Sequence, residues 1–303
     1  MTRRLLSVVP TALGVVVLVF VFLHAVPGDP VEIMLGESAS AGDVAAFRHA
    51  LGLDRPLPAQ LAGFVARLAQ GDLGESIAFR APVRTVVLER LPSTMLLAAT
   101  ALVLAIAIAL PLGVAGALRP GSLVDHAARL GSLVGVIAPS FVAGPLLVLV
   151  FGIALRWLPI SGRGGVAHLV LPAVTLALGM TSVLTRLTRA AMLDVLAADH
   201  LRTARAKGAG PARVTIVHAL RSALPPVVAT IGLQAGALLA GAVVTETIFA
   251  WPGVGRLVVQ AIGARDYPLV QGCVLAIGLS YIAVNLVTDL ALVALDPRLR
   301  DDA

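Results

Sequence analysis

Apolar residues run along this chain in long blocks, and polar residues gather in a few islands between them. The first block, Leu5 to Val26, follows Arg3 and Arg4. At about 1.5 Å rise per residue its roughly 22 residues cover about 33 Å, enough to cross a bilayer and too long for the apolar core of a cleaved leader. Five later blocks predict further spans. The second is opened by Leu91-Pro92-Ser93, runs to about Leu118 and is ended by Arg119-Pro120-Gly121. The third covers about Ala127 to Leu155, with Pro139 and Pro145 expected to bend it. The fourth covers Leu169 to Leu187, the fifth Val227 to Ala250, and the sixth Gln271 to Leu295, closed by Asp296-Pro297-Arg298. Gly131 and Gly135, and again Gly232 and Gly236, are spaced so that helices can approach closely.

The polar stretches carry their own elements. From Pro27 to Pro92 the pattern predicts a small helical subdomain outside the membrane. Ser40 and Asp43 form a capping box ahead of a helix that Gly52 stops. A second helix over Leu57 to Gln70 puts Leu61, Phe64, Val65 and Leu68 on one face. A third starts at Pro82 and reaches Arg90. The expected parts are therefore 1–26, the excursion 27–92, a core 93–295 and a tail 296–303.

The most polar island is Asp199 to Leu224, holding Asp199, Arg202, Arg205, Lys207, Arg213 and Arg221. At roughly 3 kcal/mol per charge at a bilayer centre, burying all of them would cost on the order of 18 kcal/mol, so the island lies in water. It still has structure. Asp199 is placed to cap a helix ending at Gly208. Gly208, Gly210 and Pro211 make a turn. A second helix then carries Val214, Val217, Leu220 and Leu224 as an apolar stripe. Two short helices around a turn, held between spans, make a compact knob within 188–226. The bland alternative is an ordinary loop with snorkelling arginines.

Composition agrees with a membrane protein: the chain is 58% hydrophobic and 13% charged. Its net charge of +6 is explained by basic residues flanking spans, not by a nucleic-acid partner. Six spans put both termini on one side. That side holds Arg3, Arg4, Arg119, Arg129, Arg186, Arg189, the knob cations, Arg298 and Arg300; the two short loops opposite hold only Arg156, Arg163, Arg256 and Arg265. The knob is thus expected in the cytoplasm.

Candidate chemistry is sparse. The lone cysteine, Cys273, sits in an apolar run, and the histidines are scattered, so no catalytic or metal-ligating set is expected. No G-x-x-x-x-G-K-[ST] phosphate loop is present, so ATP, if it drives this protein, must be bound by another chain. Glu246 is an ionisable residue at the end of the fifth span and faces either a pathway or the headgroup level. Trp251 is an interfacial anchor or part of the same mouth. Asn285 and Asp289 are expected to make a polar contact near the inner interface, with Arg298 as partner. Arg186 and Arg189 are expected to snorkel, and His24 to lie at an interface.

Several strings carry a resemblance. T-A-R-A-K-G with H-A-L-R, from Thr203 and His218, is similar to the coupling loop of ABC importer permeases of the dipeptide/oligopeptide/nickel branch. Arg202 stands where the general motif has Glu, and Arg221 where it ends in Pro. V-P-G-D-P-V, L-G-L-D-R-P-L, G-D-L-G-E-S, A-P-V, W-L-P-I-S-G and V-V-T-E-T-I-F-A-W-P-G-V-G also resemble that branch. The resemblance implies an all-α polytopic protein of six transmembrane helices with the type I importer permease fold, multi-pass in a bacterial inner membrane. It implies a second, homologous permease, two ATP-binding subunits carrying ATP and Mg, and an extracytoplasmic solute-binding protein. The outer subdomain would be a platform for the binding protein or the second permease. Arg202, Thr203, Ala204, Arg205, Lys207, Gly208, Ala209, Gly210, His218 and Arg221 would couple to the ATPase. Glu246, Trp251, Pro252, Gly253 and Gly255 would line or gate the outer mouth. An ion-coupled transporter or channel is the alternative; it would favour charges at mid-span, which are scarce. An intramembrane enzyme would need a Ser-His or paired-Asp set within the spans.

Overall fold

The computed structural model describes residues 2–25, 40–50 and 54–295. The string from Val26 to Val31, the Gly52 helix stop, the Asp296-Pro297-Arg298 closure and the side chains of His24 and Asp43 lie outside the described residues.

Helices dominate. They are α1 (Thr2–Ala25), α2 (Ala41–Ala50), α3 (Leu57–Ala69), α4 (Val83–Leu118), α5 (Leu123–Ile137), α6 (Ser140–Ala154), α7 (Val166–Leu196), α8 (Asp199–Ala206), α9 (Pro211–Ile248), α10 (Val254–Gly263) and α11 (Tyr267–Leu295). Among the described residues, α4, α7, α9 and α11 are long and apolar enough to cross a membrane.

The proline-based boundaries need correction. Pro92 does not open a new helix: α4 runs unbroken for 36 residues from Val83, through Pro92 and Pro111. The expected third helix of the excursion and the second span are one rod, about 54 Å long. Pro139 does more than bend its span. Its backbone is extended (ψ 152°), it starts α6 afresh, and the expected third span is two helices. Beyond it, Val148–Ala154 winds as π turns. Two elements went unseen in the sequence. A small antiparallel pair joins Glu75–Ser76 to Ala81–Pro82. Helix α10 follows the Trp251-Pro252-Gly253 turn.

The core lies where α4, α7 and α9 meet. Leu97, Ala101, Ala105 and Ala109 recur every fourth residue of α4 and are fully buried against Ala173, Ala177, Met180 and Leu184 of α7. Small residues at that spacing bring the backbones close. Gly113 continues the stripe: a Cβ there would stand 2.6 Å from the Thr188 Cβ. Gly232 and Gly236 do the same between α9 and α11, against Thr288 and Tyr281. Of the other pair, Gly135 packs on Ser182 of α7, while Gly131 faces open space. As expected, Phe64 with Leu61, Val65 and Leu68 forms the apolar face of α3; it covers Val16, Val19 and Phe20 of α1 and Leu275 of α11.

The two ends of the bundle differ. At one end Val83, Val86 and Val87 of α4 pack with Val254 and Leu257 of α10 and Leu269 and Cys273 of α11. At the other, Ala117 of α4 and Met192 of α7 pack with Leu201 of α8 and Val214, Ala219 and Ala223 of α9. Both candidate sites sit at these ends.

Candidate functional site: a polar knob and a buried carboxylate latch

The knob is α8, its turn and the first turns of α9. The extended Ala198 precedes α8 with no side-chain cap, so Asp199 is not the cap. It lies in the first turn, where its charge suits the helix dipole, and pairs with Arg202 at 3.3 Å in solvent. The end of α8 is as expected. The Ala209 amide donates to the Ala204 carbonyl (3.1 Å) and the Gly208 amide to the Arg205 carbonyl (2.9 Å), with Gly208 left-handed at φ 82°. This is a Schellman ending, which glycine adopts without strain. Pro211 then begins α9 after an extended Gly210.

The stripe on α9 departs from expectation. Val214–Leu220 winds as π turns, each holding one residue more than an α turn. The inward positions therefore fall at Val214, Ala219, Ala223 and Val227, while Val217 is 48% exposed. Leu201 on α8 is fully buried against Met192 and anchors the knob. Arg202, Thr203, Arg205, Lys207, Gly208, Gly210 and Arg221 are exposed. Ala204, Ala209 and His218 are half-buried, and Ala209 packs into the anchoring cluster.

Beside the knob stands a carboxylate that sequence reasoning passed over. Asp125 is buried at the start of α5. Arg189 of α7, expected to snorkel, instead grips it with Nε (2.5 Å) and Nη2 (2.9 Å). The Gly121 amide donates at 2.9 Å, and Arg129 lies at 3.4 Å. Ser122-x-x-Asp125 was the available signal: its hydroxyl accepts from the Asp125 amide (3.3 Å), as in a capping box. Arg186 is exposed, as a snorkelling residue would be. The Arg189 guanidinium, then the Gly121 amide, hold the Asp125 carboxyl down to about 2. A depressed carboxylate stabilises the fold above its ordinary value of about 4 and loses that contribution as pH falls toward about 2. Melting curves of the detergent-purified protein should therefore drop across this window, and Asp125→Asn should flatten that part of the drop. Identical profiles would exclude the pair as its source.

At the far end Glu246 is fully buried near the end of α9. Thr94 of α4 donates its hydroxyl to Oε1 at 2.6 Å, and the Arg256 amide donates to Oε2 at 3.0 Å. The carboxylate thus caps the N-terminus of α10. Thr94 in turn accepts from the Val254 amide at 2.8 Å. None of the described ion pairs includes Glu246; the Arg256 guanidinium goes to the Ala250 carbonyl at 2.7 Å. Gly253 and Gly255 press on the carboxylate: a Cβ at Gly255 would meet Oε2 at 3.0 Å and the Val243 Cα at 2.6 Å. Trp251 is 1% exposed, and its indole N–H donates to the Ser93 carbonyl at 2.9 Å. Arg163, from the α6–α7 loop, donates to the Ser93 hydroxyl at 2.9 Å. Ala250 is held left-handed at φ 49°, a strain of about 1 kcal/mol or more, where the Trp251 amide closes α9 onto the Glu246 carbonyl. Glu246, Trp251, Gly253 and Gly255 are thus brought together, with Pro252 half-buried beside them.

A second buried carboxylate joins the same end. Asp266, unnoticed in the sequence, accepts from the Leu269 amide (3.1 Å) at the start of α11, and from the Ser76 hydroxyl (2.5 Å) and the Ala78 amide (3.0 Å) of the strand pair. Asn285 and Asp289 are half-buried on α11; Arg298, their expected partner, lies outside the described residues.

The family model for the binding-protein-dependent transport system inner membrane component matches residues 109–301, and the model for its N-terminal region matches residues 1–98. The chain belongs to this family of importer permease subunits. It is 43% identical to the di/tripeptide transport system permease protein DppB of Pseudomonas aeruginosa, with 98% of this chain and 97% of that protein covered. It is 40% identical to the glutathione transport system permease protein GsiC of Salmonella choleraesuis and 41% identical to the dipeptide transport system permease protein DppB of Escherichia coli, at the same coverage. In fold it is similar to the inward-facing MetNI methionine ABC transporter, with a TM-score of 0.57 at 17% identity over 70% of this chain and 96% of that one.

Proposed function

We propose that this chain is a peptide-translocating permease subunit of an ATP-driven importer, and that its knob docks on a cytoplasmic ATPase. The spans are α1, α4, the α5–α6 pair, α7, α9 and α11, with both termini and the knob inside. The excursion ahead of Pro92, the latch and α10 lie outside. Supporting this sidedness, Arg119, Arg129, Arg186 and Arg189 belong to the knob end. The relatives whose names carry di/tripeptides, dipeptides and glutathione support a short-peptide substrate.

One observation carries the mechanism. The knob is not a tethered loop: its second half is the beginning of α9, and α9 runs on to the Glu246 latch. An ATPase that moves the knob moves this helix as a rigid body. The expected cycle is alternating access. ATP closes two ATPase subunits, the knobs of this permease and a homologous partner approach, and the outer mouth, closed by Glu246 to Gly255, opens to a solute-binding protein. Hydrolysis resets it. ATP and Mg are held by the partner subunits.

The test is a nucleotide-sensitive crosslink. A cysteine at Ala209 would point into the anchoring cluster, and one at Gly208 would be strained at φ 82°. Lys207→Cys and Arg205→Cys are exposed and should crosslink to the co-expressed ATPase, with a yield that changes when ATP is added. No crosslink from either position, in a membrane fraction holding both proteins, would remove the docking role.

A further inference from the structure

Glu246 is the charged member of the latch, but the bonds of the latch converge on α4. Three separate segments donate to Ser93 and Thr94 or accept from them: the α6–α7 loop through Arg163, the α9–α10 turn through Trp251 and Val254, and the end of α9 through Glu246. Both α4 residues are at most 2% exposed. Within this hub Thr94 alone is both donor and acceptor. Its single hydroxyl proton goes to Glu246, so its lone pair is left for the Val254 amide. One side chain thereby closes a ring of α4, α9 and α10.

We propose that Thr94 is the positioning residue of the outer gate: its hydroxyl holds α4 against the α9–α10 corner, and the Glu246–Thr94–Val254 relay is what must break before the mouth opens. This rests on the importer reading above and deepens it. Only bonds present in one state and absent from the other bias a two-state equilibrium. The relay links elements that must part if the mouth lies between α4 and the α9–α10 corner. Losing it therefore favours the open mouth and, through the rigid α9, the ATPase-closed state. The expected signature is ATP hydrolysis that no longer waits for the binding protein.

Two variants isolate the relay. Thr94→Val keeps the size and branching of the side chain and removes donor and acceptor together; Thr94→Ser keeps both. Val254→Pro removes the amide at the first position of α10, where proline is tolerated, after a Gly253 with extended backbone, and Val254→Ala serves as its control for the buried side chain that is lost with it. The proline variant keeps the proposal testable if Thr94→Val does not assemble. The whole complex with both permeases and ATPase subunits, in proteoliposomes, is assayed for basal hydrolysis without binding protein and for dialanine uptake with it. Thr94→Val or Val254→Pro should raise basal hydrolysis threefold or more and cut dialanine moved per ATP by a similar factor. Thr94→Ser should stay within twofold of wild type on both. Basal hydrolysis unchanged in an assembled Thr94→Val or Val254→Pro complex overturns the role of Thr94 and leaves the importer reading standing. Loss of coupling in Thr94→Ser equal to that in Thr94→Val also overturns it, since the hydroxyl would then be irrelevant. A wild-type complex without any ATP hydrolysis overturns both.

Discussion

Glu246→Ala is expected to reduce uptake by the assembled transporter at least tenfold. The substitution strands two buried donors, the Thr94 hydroxyl and the Arg256 amide, and uncaps α10. Leaving a buried donor unpaired costs about 1–3 kcal/mol, so the pair amounts to roughly 2–6 kcal/mol before any cavity forms. That is comparable to the few kcal/mol that separate two conformations of a protein, enough to shift their balance. Glu246→Gln should be milder. Its carbonyl can still accept one of the two bonds, but its amide nitrogen cannot accept the other. The ordering wild type, then Gln, then Ala should therefore appear in uptake. It should also appear inverted in basal ATP hydrolysis, as the mouth loses its closed state. Wild-type uptake together with unchanged basal hydrolysis in Glu246→Ala would show that the carboxylate has no part in gating.

The same residue shows how far the sequence could be read. One charge in an apolar helix is visible without a structure, because its burial cost demands a reason. Its partner is not: Thr94 stands 152 positions away and is, on its own, one more hydroxyl in an apolar run. The long helices followed from apolar length alone. Their punctuation did not. Pro92 reads as the start of a span and Pro139 as a bend within one, yet the first is carried inside α4 and the second starts a new helix. Beside Pro92, Ser93 and Thr94 are pinned by Arg163, Trp251 and Glu246, so tertiary bonds hold the helix through it. The knob was legible as polar, Gly-Pro-turned and helical. A period of 3.6 puts Val217 on the inward stripe, but the backbone winds in π turns there and turns it outward. Arg189 shows the limit most plainly. Taken singly, an arginine near a membrane face snorkels; only the fold reveals Asp125 waiting 64 positions earlier.

That pair sets the second large effect. Arg189→Ala is expected to remove most of the protein from the membrane fraction, since it leaves Asp125 buried without the guanidinium that satisfies both its oxygens. Arg129 is 47% exposed and meets the carboxylate only at 3.4 Å, so it is the weaker partner. A buried charge without its partner is worse than no charge at all. The double variant Asp125→Ala with Arg189→Ala should accordingly recover protein that the single Arg189→Ala loses, a non-additivity diagnostic of direct contact. Recovery should extend to transport only in part. Asp125 also holds the Gly121 amide, and so ties the α4–α5 turn to α7, the helix that leads into the knob. Loss of that tie should weaken the path by which knob motion reaches α4. The measurement is membrane-inserted protein and uptake per inserted complex for both singles and the double. Additive losses would mean that Asp125 and Arg189 act independently, and that the ion pair is not what joins α5 to α7.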